Sequence, residues 1–202
     1  MKNIIVTGGC GFIGSNFIIS QLKNTNNKIL NLDKLTYAGN INNLRAINKY
    51  GNYSFIKGDI ANHKCVQSIF NKFEPDSVIN FAAETHVDNS IASPDIFIKT
   101  NINGVFNLLN IAYKFWFDKP FQVKDEFSLA RFHQISTDEV YGSIDKGSFT
   151  EENKYTPNSP YSASKASADM IVRSFNKTYG LNTTISISSN NFGKNQNKEK
   201  FI

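Results

Sequence analysis

Short aliphatic and β-branched runs alternate along this chain with longer stretches whose apolar residues recur every three or four positions. The runs Asn3–Thr7, Lys28–Leu32, Ser54–Lys57, Ser77–Phe81, Phe132–Ser136 and Thr183–Ser188 predict six strands. Helical spacing predicts helices over Asn16–Leu22, from Ile41 to about Lys49, over Lys64–Phe73, from Asp95 to about Tyr113, and from Ser159–Pro160 to Tyr179. Gly180 is a ready C-cap for the last of these. Glu84–Asp88 and Gly142–Asn158 are expected as polar loops, and Phe115–Ala130 as irregular surface decoration. Strands alternating with helices imply parallel pairing through right-handed crossovers. The expectation is one α/β domain over residues 1–202, a doubly wound parallel sheet in the order 3-2-1-4-5-6.

The ends of these strands carry the informative residues. The first leads through Thr7 into Gly8, Gly11 and Gly14 and then into a helix. Strand, glycine turn and helix together allow a tight turn, a close backbone approach to a pyrophosphate, and a helix N-terminus aimed at phosphate. A purely structural glycine turn is the alternative. Asp33 ends the second strand, where a carboxylate accepts from both ribose hydroxyls and repels a 2′-phosphate, favouring NAD over NADP. Asp59 and Ile60 follow the third strand and are placed to edge and cover an adenine. Ala82 and Ala83 close the fourth and leave room for a flat cofactor. The fold class is therefore Rossmann-like and NAD-binding.

The fifth strand ends in Thr137, Asp138 and Glu139. Two adjacent carboxylates there suit a paired general acid and base, if their surroundings separate their pKa values. An N-cap with acidic first-turn residues explains the same triplet without chemistry. Tyr161 and Lys165 lie four apart, one turn of the predicted helix. A phenol of pKa about 10 is a poor base at neutral pH, and a nearby lysine cation is expected to lower that value. A solvated helix face is the plainer reading.

Composition narrows the classes. Hydrophobic content of 40% and charged content of 19% describe an ordinary globular chain. No apolar run approaches membrane-spanning length, and the start of the chain lacks a signal-peptide pattern, so the expectation is a cytoplasmic protein without membrane contact. The net charge of +5 is spread along the chain apart from Lys194, Lys198 and Lys200, and reads as solvated surface rather than a nucleic-acid footprint. Cys10 and Cys65, with His63, His86 and His133, have no metal-ligand spacing.

Together the stretches TGGxGFIGS, DKLTYAGN, AAETHVD, STDEVYG and YSASKAS resemble dTDP-glucose 4,6-dehydratases of the extended short-chain dehydrogenase/reductase superfamily. The resemblance runs from Met1 to Ile202. The glycine loop and the Tyr161/Lys165 pair mark only the superfamily. The triplet at 137–139 is more specific: related epimerases usually lack the Asp-Glu pair, and GDP-mannose dehydratases usually carry Ser where Asp138 stands, although UDP-glucose dehydratases share the triplet. The resemblance implies NAD as cofactor and a nucleotide sugar as substrate. Tyr161, helped by Lys165, would take the proton of the sugar 4-hydroxyl. Glu139 would remove the C5 proton, and Asp138 would protonate the departing 6-hydroxyl. Thr137 would bond the 4-oxygen, Thr85 the sugar nucleotide, and Asn190 its phosphates. The expected cofactor set is Gly8, Gly11, Phe12, Ile13, Gly14, Asp33, Lys34, Leu35, Thr36, Asp59, Ile60, Ala82, Ala83, Thr100, Tyr161, Lys165 and Asn191.

The sequence departs from the family pattern at Thr85 (usually Ser), Asn89 (usually Arg), Phe192 (usually Tyr) and Lys194 (usually Pro). The family continues beyond the position of Ile202, so the cofactor half and the catalytic side chains are expected here, with the substrate-binding part largely absent and turnover suppressed. An NAD-dependent epimerase and a non-catalytic NAD-binding remnant are the competing readings. Phe106, Leu109, Ala166 and Ile171 are apolar beyond what covering a sheet requires. The resemblance implies that their two helices pair across a two-fold axis in a homodimer.

Overall fold

A computed structural model of the chain describes residues 1–196. Six parallel strands form the main sheet: β1 (Asn3–Thr7), β2 (Lys28–Asp33), β3 (Tyr53–Lys57), β4 (Ser77–Asn80), β7 (Arg131–Thr137) and β8 (Thr183–Ser188). Their order is β3-β2-β1-β4-β7-β8, the order expected from the alternation of elements. β5 (Phe117–Lys119) and β6 (Gln122–Val123) form a small antiparallel hairpin outside it.

The pleat sorts side chains between two layers. In β1, Ile5 enters one core while Ile4 and Val6 enter the other. In β2, Leu30 and Leu32 face the first core, and Ile29 faces the second. The larger core is covered by α2 (His63–Phe73), α5 (Val105–Trp116) and α6 (Pro160–Tyr179). Trp116 is fully buried there and donates its indole N–H to the Pro75 carbonyl at 2.7 Å. The smaller core lies under α1 (Phe12–Asn24) and a 3-10 helix over Ile41–Ile47. On that side the outer strands stay half-covered, and Arg131, His133, Thr184 and Ser186 line a shallow groove.

Several elements differ from the sequence expectation. α1 begins at Phe12, so Gly14 lies inside the helix. The expected 41–49 helix is the shorter 3-10 helix. The polar loop after β4 winds into α3 (Val87–Ala92), and Pro94 then opens α4 (Pro94–Phe97). The expected 95–113 helix passes through a π-helical stretch, Ile98–Gly104, before continuing as α5 to Trp116. Asn101 sits in that stretch and exchanges hydrogen bonds with the Glu84 backbone at 2.9 and 3.0 Å. It also donates to Ser164 at 2.8 Å, tying the loop after β4 to α6. The expected irregular segment holds the β5–β6 hairpin.

Leu109 and Ala166, expected on an outer face, are buried within the single chain, and Ile171 packs half-buried against the larger core. Apolar side chains left exposed on this side are Ile91, Ile98, Phe106 and Met170. Of the basic group near the end, Lys194 is exposed, while Lys198 and Lys200 lie outside the described residues. Among the described residues, no helix is long and apolar enough to cross a membrane, and no group of His, Cys, Asp and Glu could hold a metal ion.

Candidate active site

The carboxyl ends of β1, β2, β4, β7 and β8 open into one cleft of about 530 Å³. Its first wall is the glycine turn. Gly8 has a φ of +66°, and a Cβ there would lie 2.6 Å from the Ala82 nitrogen. A Cβ on Gly14 would lie 2.5 Å from the Gly8 carbonyl oxygen, so both positions admit only glycine. Gly11 differs: its φ is ordinary, and an added Cβ meets only the Gly8 carbonyl oxygen, at 3.3 Å. The surface above Gly11 is thus left open at the start of α1, whose first turn carries no acidic residue. A positive helix end with an open backbone approach suits a pyrophosphate.

Asp33 is buried at the end of β2. Its Oδ2 accepts the Cys10 N–H at 2.8 Å and its Oδ1 the Leu35 N–H at 2.7 Å. Each carboxylate oxygen keeps further accepting capacity toward the cleft it lines. Lys34 and Asp59 form an ion pair at 2.9 Å across the loops after β2 and β3. Burial works against the Asp59 charge, but the Lys34 ammonium and the Ala61 N–H hold its carboxyl below the usual range. Glu84, buried beside the cleft, has its carboxyl pushed up by burial. Two polar atoms of cleft residues, Thr100 Oγ1 and His86 Nδ1, are buried with no hydrogen-bond partner among the described residues. Unsatisfied polar groups at a cleft floor fit a ligand that completes them.

The catalytic candidates converge at the other end. Thr137 ends β7 and caps a 3-10 turn over Asp138–Tyr141, accepting the Glu139 N–H at 3.3 Å. The capping role and the cleft position therefore coexist. Thr137, Glu139, Tyr161 and Lys165 all line the cleft. Asp138 is not part of that lining, and the Thr137 hydroxyl donates to its Oδ1 at 3.4 Å. Tyr161 is buried, its ring edge-on to Phe97 at 6.3 Å.

The expected lowering of the Tyr161 phenol does not occur. Burial pushes it up, the Glu139, Asp138 and Asp169 charges push it further, and a hydrogen bond with Thr137 only partly offsets them. Lys165 is itself buried and donates to the Ile135 carbonyl at 2.6 Å. Burial brings its ammonium down to about 8, against an opposing pull from Asp169.

Of the remaining expected contacts, Phe12, Ile13, Thr36, Ile60, Ala82, Ala83, Thr85, Asn190 and Asn191 line the cleft. Leu35 does not. Its side chain packs half-buried against the smaller core, because Asp33 captures its N–H and the chain turns there with a φ of +56°. The structure adds His86, Asn195 and Gln196 to the lining. The segment after Asn191 folds back on α1, where the Lys194 carbonyl accepts from Asn16 at 2.7 Å and Asn195 donates to Ser15 at 3.2 Å. A return of that kind is long-range and leaves no local sequence signal. Asp169 was also missed, although its spacing four residues after Lys165 on a predicted helix was visible.

A family model described as GDP-mannose 4,6 dehydratase matches residues 5–202. The dTDP-glucose 4,6-dehydratase of Haemophilus influenzae is 46% identical over the whole chain, which covers 60% of its length. Among solved structures, DesIV, a dTDP-glucose 4,6-dehydratase from Streptomyces venezuelae with NAD bound, superposes with a TM-score of 0.88 at 40% identity. The match covers 98% of this chain and 59% of that one. The dTDP-glucose 4,6-dehydratase of Bacillus anthracis in complex with NAD gives 0.85 at 42% identity, over 99% and 58% of the two chains. The chain thus spans somewhat more than half the length of the relatives it matches.

Proposed function

The chain belongs to the GDP-mannose 4,6-dehydratase family, and on that premise we propose that it is the NAD-binding, proton-transferring half of a dTDP-glucose 4,6-dehydratase. The observation that carries this reading is the single cleft joining the open glycine turn and Asp33 to Thr137, Glu139, Tyr161 and Lys165. The open backbone at Gly11 and the unpartnered Thr100 hydroxyl support a cofactor between them. NAD, when bound, supplies reversible two-electron oxidation of the sugar.

The chain's own groups handle protons. Tyr161 accepts the proton of the sugar 4-hydroxyl, with Lys165, one turn along α6, as the compensating charge. The 4-ketone acidifies the neighbouring C5–H, which Glu139, the exposed carboxylate of the pair, removes. Asp138 delivers a proton to the 6-oxygen as it leaves, so water is lost across C5–C6 and reduction at C6 completes the turnover. Thr137 holds the 4-oxygen; Thr85 and Asn190 meet the nucleotide part. The raised Tyr161 phenol is protonated in the fold as it stands, so acting as the base requires a compensating positive charge to stabilise its phenolate first. We further place the protein in the cytoplasm as a homodimer, paired through Ile98, Phe106 and Met170, which lie exposed on neighbouring helical elements.

The test combines NADH titration by fluorescence with incubation on dTDP-glucose, reading the alkaline absorbance of the 4-keto sugar. Binding and keto-sugar formation together support the proposal. Binding without keto sugar reduces it to a cofactor-binding half, and absence of binding overturns it.

A further inference from the structure

Asp169 lies one turn beyond Lys165 on α6, and the two are 2% and 5% exposed. Its Oδ2 accepts the Ser136 hydroxyl at 2.5 Å and the Tyr155 hydroxyl at 3.3 Å. Its Oδ1 is buried and has no hydrogen-bond partner among the described residues. A buried carboxylate with one oxygen unsatisfied is costly unless a nearby cation compensates it. Burial pushes the Asp169 carboxyl up, and Lys165, one turn away on α6, is the cation whose charge opposes that push. The ammonium is tied to the Ile135 carbonyl, and Ile135 and Ser136 both line the cleft. The neighbours facing Asp169 are otherwise hydroxyls: Ser136 from β7, Tyr155 from the long loop, Tyr141 from the 3-10 turn and Tyr161 from α6.

We propose that Asp169 is a positioning residue for the proton chemistry at Tyr161: its carboxylate is the buried counter-charge that keeps Lys165 a cation at neutral pH. Burial alone drives the lysine toward its neutral form, and a neutral amine one turn from Tyr161 on α6 could not compensate a phenolate. The same carboxylate draws Ser136 and Tyr155 together, so the charge is held in place by β7 and by the loop at residues 142–158. This inference rests on the role assigned to Lys165 above. The claim about its charge can be tested without cofactor or substrate.

The experiment follows the Lys165 side chain by NMR in protein labelled with 13C at lysine Cε, the signal assigned by its absence in Lys165→Met. The expected result is a titration midpoint that falls by about one pH unit or more in Asp169→Asn. In Ser136→Ala, which keeps the charge and removes one hydrogen bond, the midpoint is expected to stay near the wild-type value. A midpoint unchanged in Asp169→Asn overturns the proposal. If that variant fails to fold, the carboxyl 13C signal of Asp169 in the wild-type chain decides. An ionised carboxylate at pH 7 supports the proposal, and a protonated one overturns it. NADH titration of the wild type runs in parallel. Loss of NADH binding with an intact Lys165–Asp169 coupling would count against the proposed function and leave the counter-charge standing.

Discussion

The Lys165 ammonium donates to the Ile135 carbonyl at 2.6 Å, fixing a buried cation near the end of the strand that leads into Thr137, Asp138 and Glu139. Burying it has a pH signature. The ordinary value of 10.5 is brought down to about 8 in the fold. Below pH 8 the amine is protonated in both states, and the full cost of its burial is present. Between about 8 and 10.5 the unfolded chain binds more protons, so this group raises stability with pH by at most about 1.4 kcal/mol per pH unit. Urea unfolding of wild type and Lys165→Met from pH 7 to about 9.5 isolates the effect. The wild-type stability should climb relative to the variant; a constant difference would contradict the buried-cation assignment. Above pH 10 the raised Tyr161 phenol works the other way, because the unfolded chain releases that proton first.

The glycine turn separates folding from binding. Gly8→Ala forces a left-handed alanine, at about 1–2 kcal/mol, and drives its Cβ into the Ala82 backbone. It should lower the melting temperature by several degrees and abolish NADH binding. Gly11→Ala meets no such barrier, so its melting temperature should stay near wild type while its NADH Kd rises at least about tenfold, through lost backbone approach. Calorimetry and fluorescence titration of the two variants check the pair. Equal affinity in Gly11→Ala and wild type would remove the turn from the phosphate site.

Phe106 is half-exposed, with its ring edge-on to Phe175 at 6.1 Å, and Met170 is half-exposed on the same helix as Phe175. Sedimentation should find the chain dimeric at micromolar concentration. Phe106→Glu should shift it to monomer, because a carboxylate buried without a partner opposes an apolar interface. A wild-type monomer would contradict the assignment of this face.

Much of this was legible from local pattern. The strand order follows from alternation, and Gly8, Asp33, Thr137 and Tyr161 all fall at strand ends or on the helix beside them. What was not legible depends on contacts between distant residues. The π-helical stretch forms around Asn101, whose partners are Glu84 and Ser164. The outward-facing positions were misassigned for Leu109 and Ala166, because helical spacing gives the apolar stripe but not which neighbour covers it. The Tyr161 shift was expected in the wrong direction. Spacing places a lysine one turn away, but only the folded chain sets burial and three carboxylates against it.

The central claim is that this cleft is built for NAD, with Asp33 at the ribose. Titration of the chain with NADH and NADPH, for wild type and Asp33→Ser, tests it most directly. The account predicts that wild type binds NADH at least about tenfold more tightly, since a 2′-phosphate would face a buried carboxylate. In Asp33→Ser that preference should collapse through weaker NADH binding. Equal wild-type affinities for the two cofactors, or a preference unchanged in the variant, would contradict it.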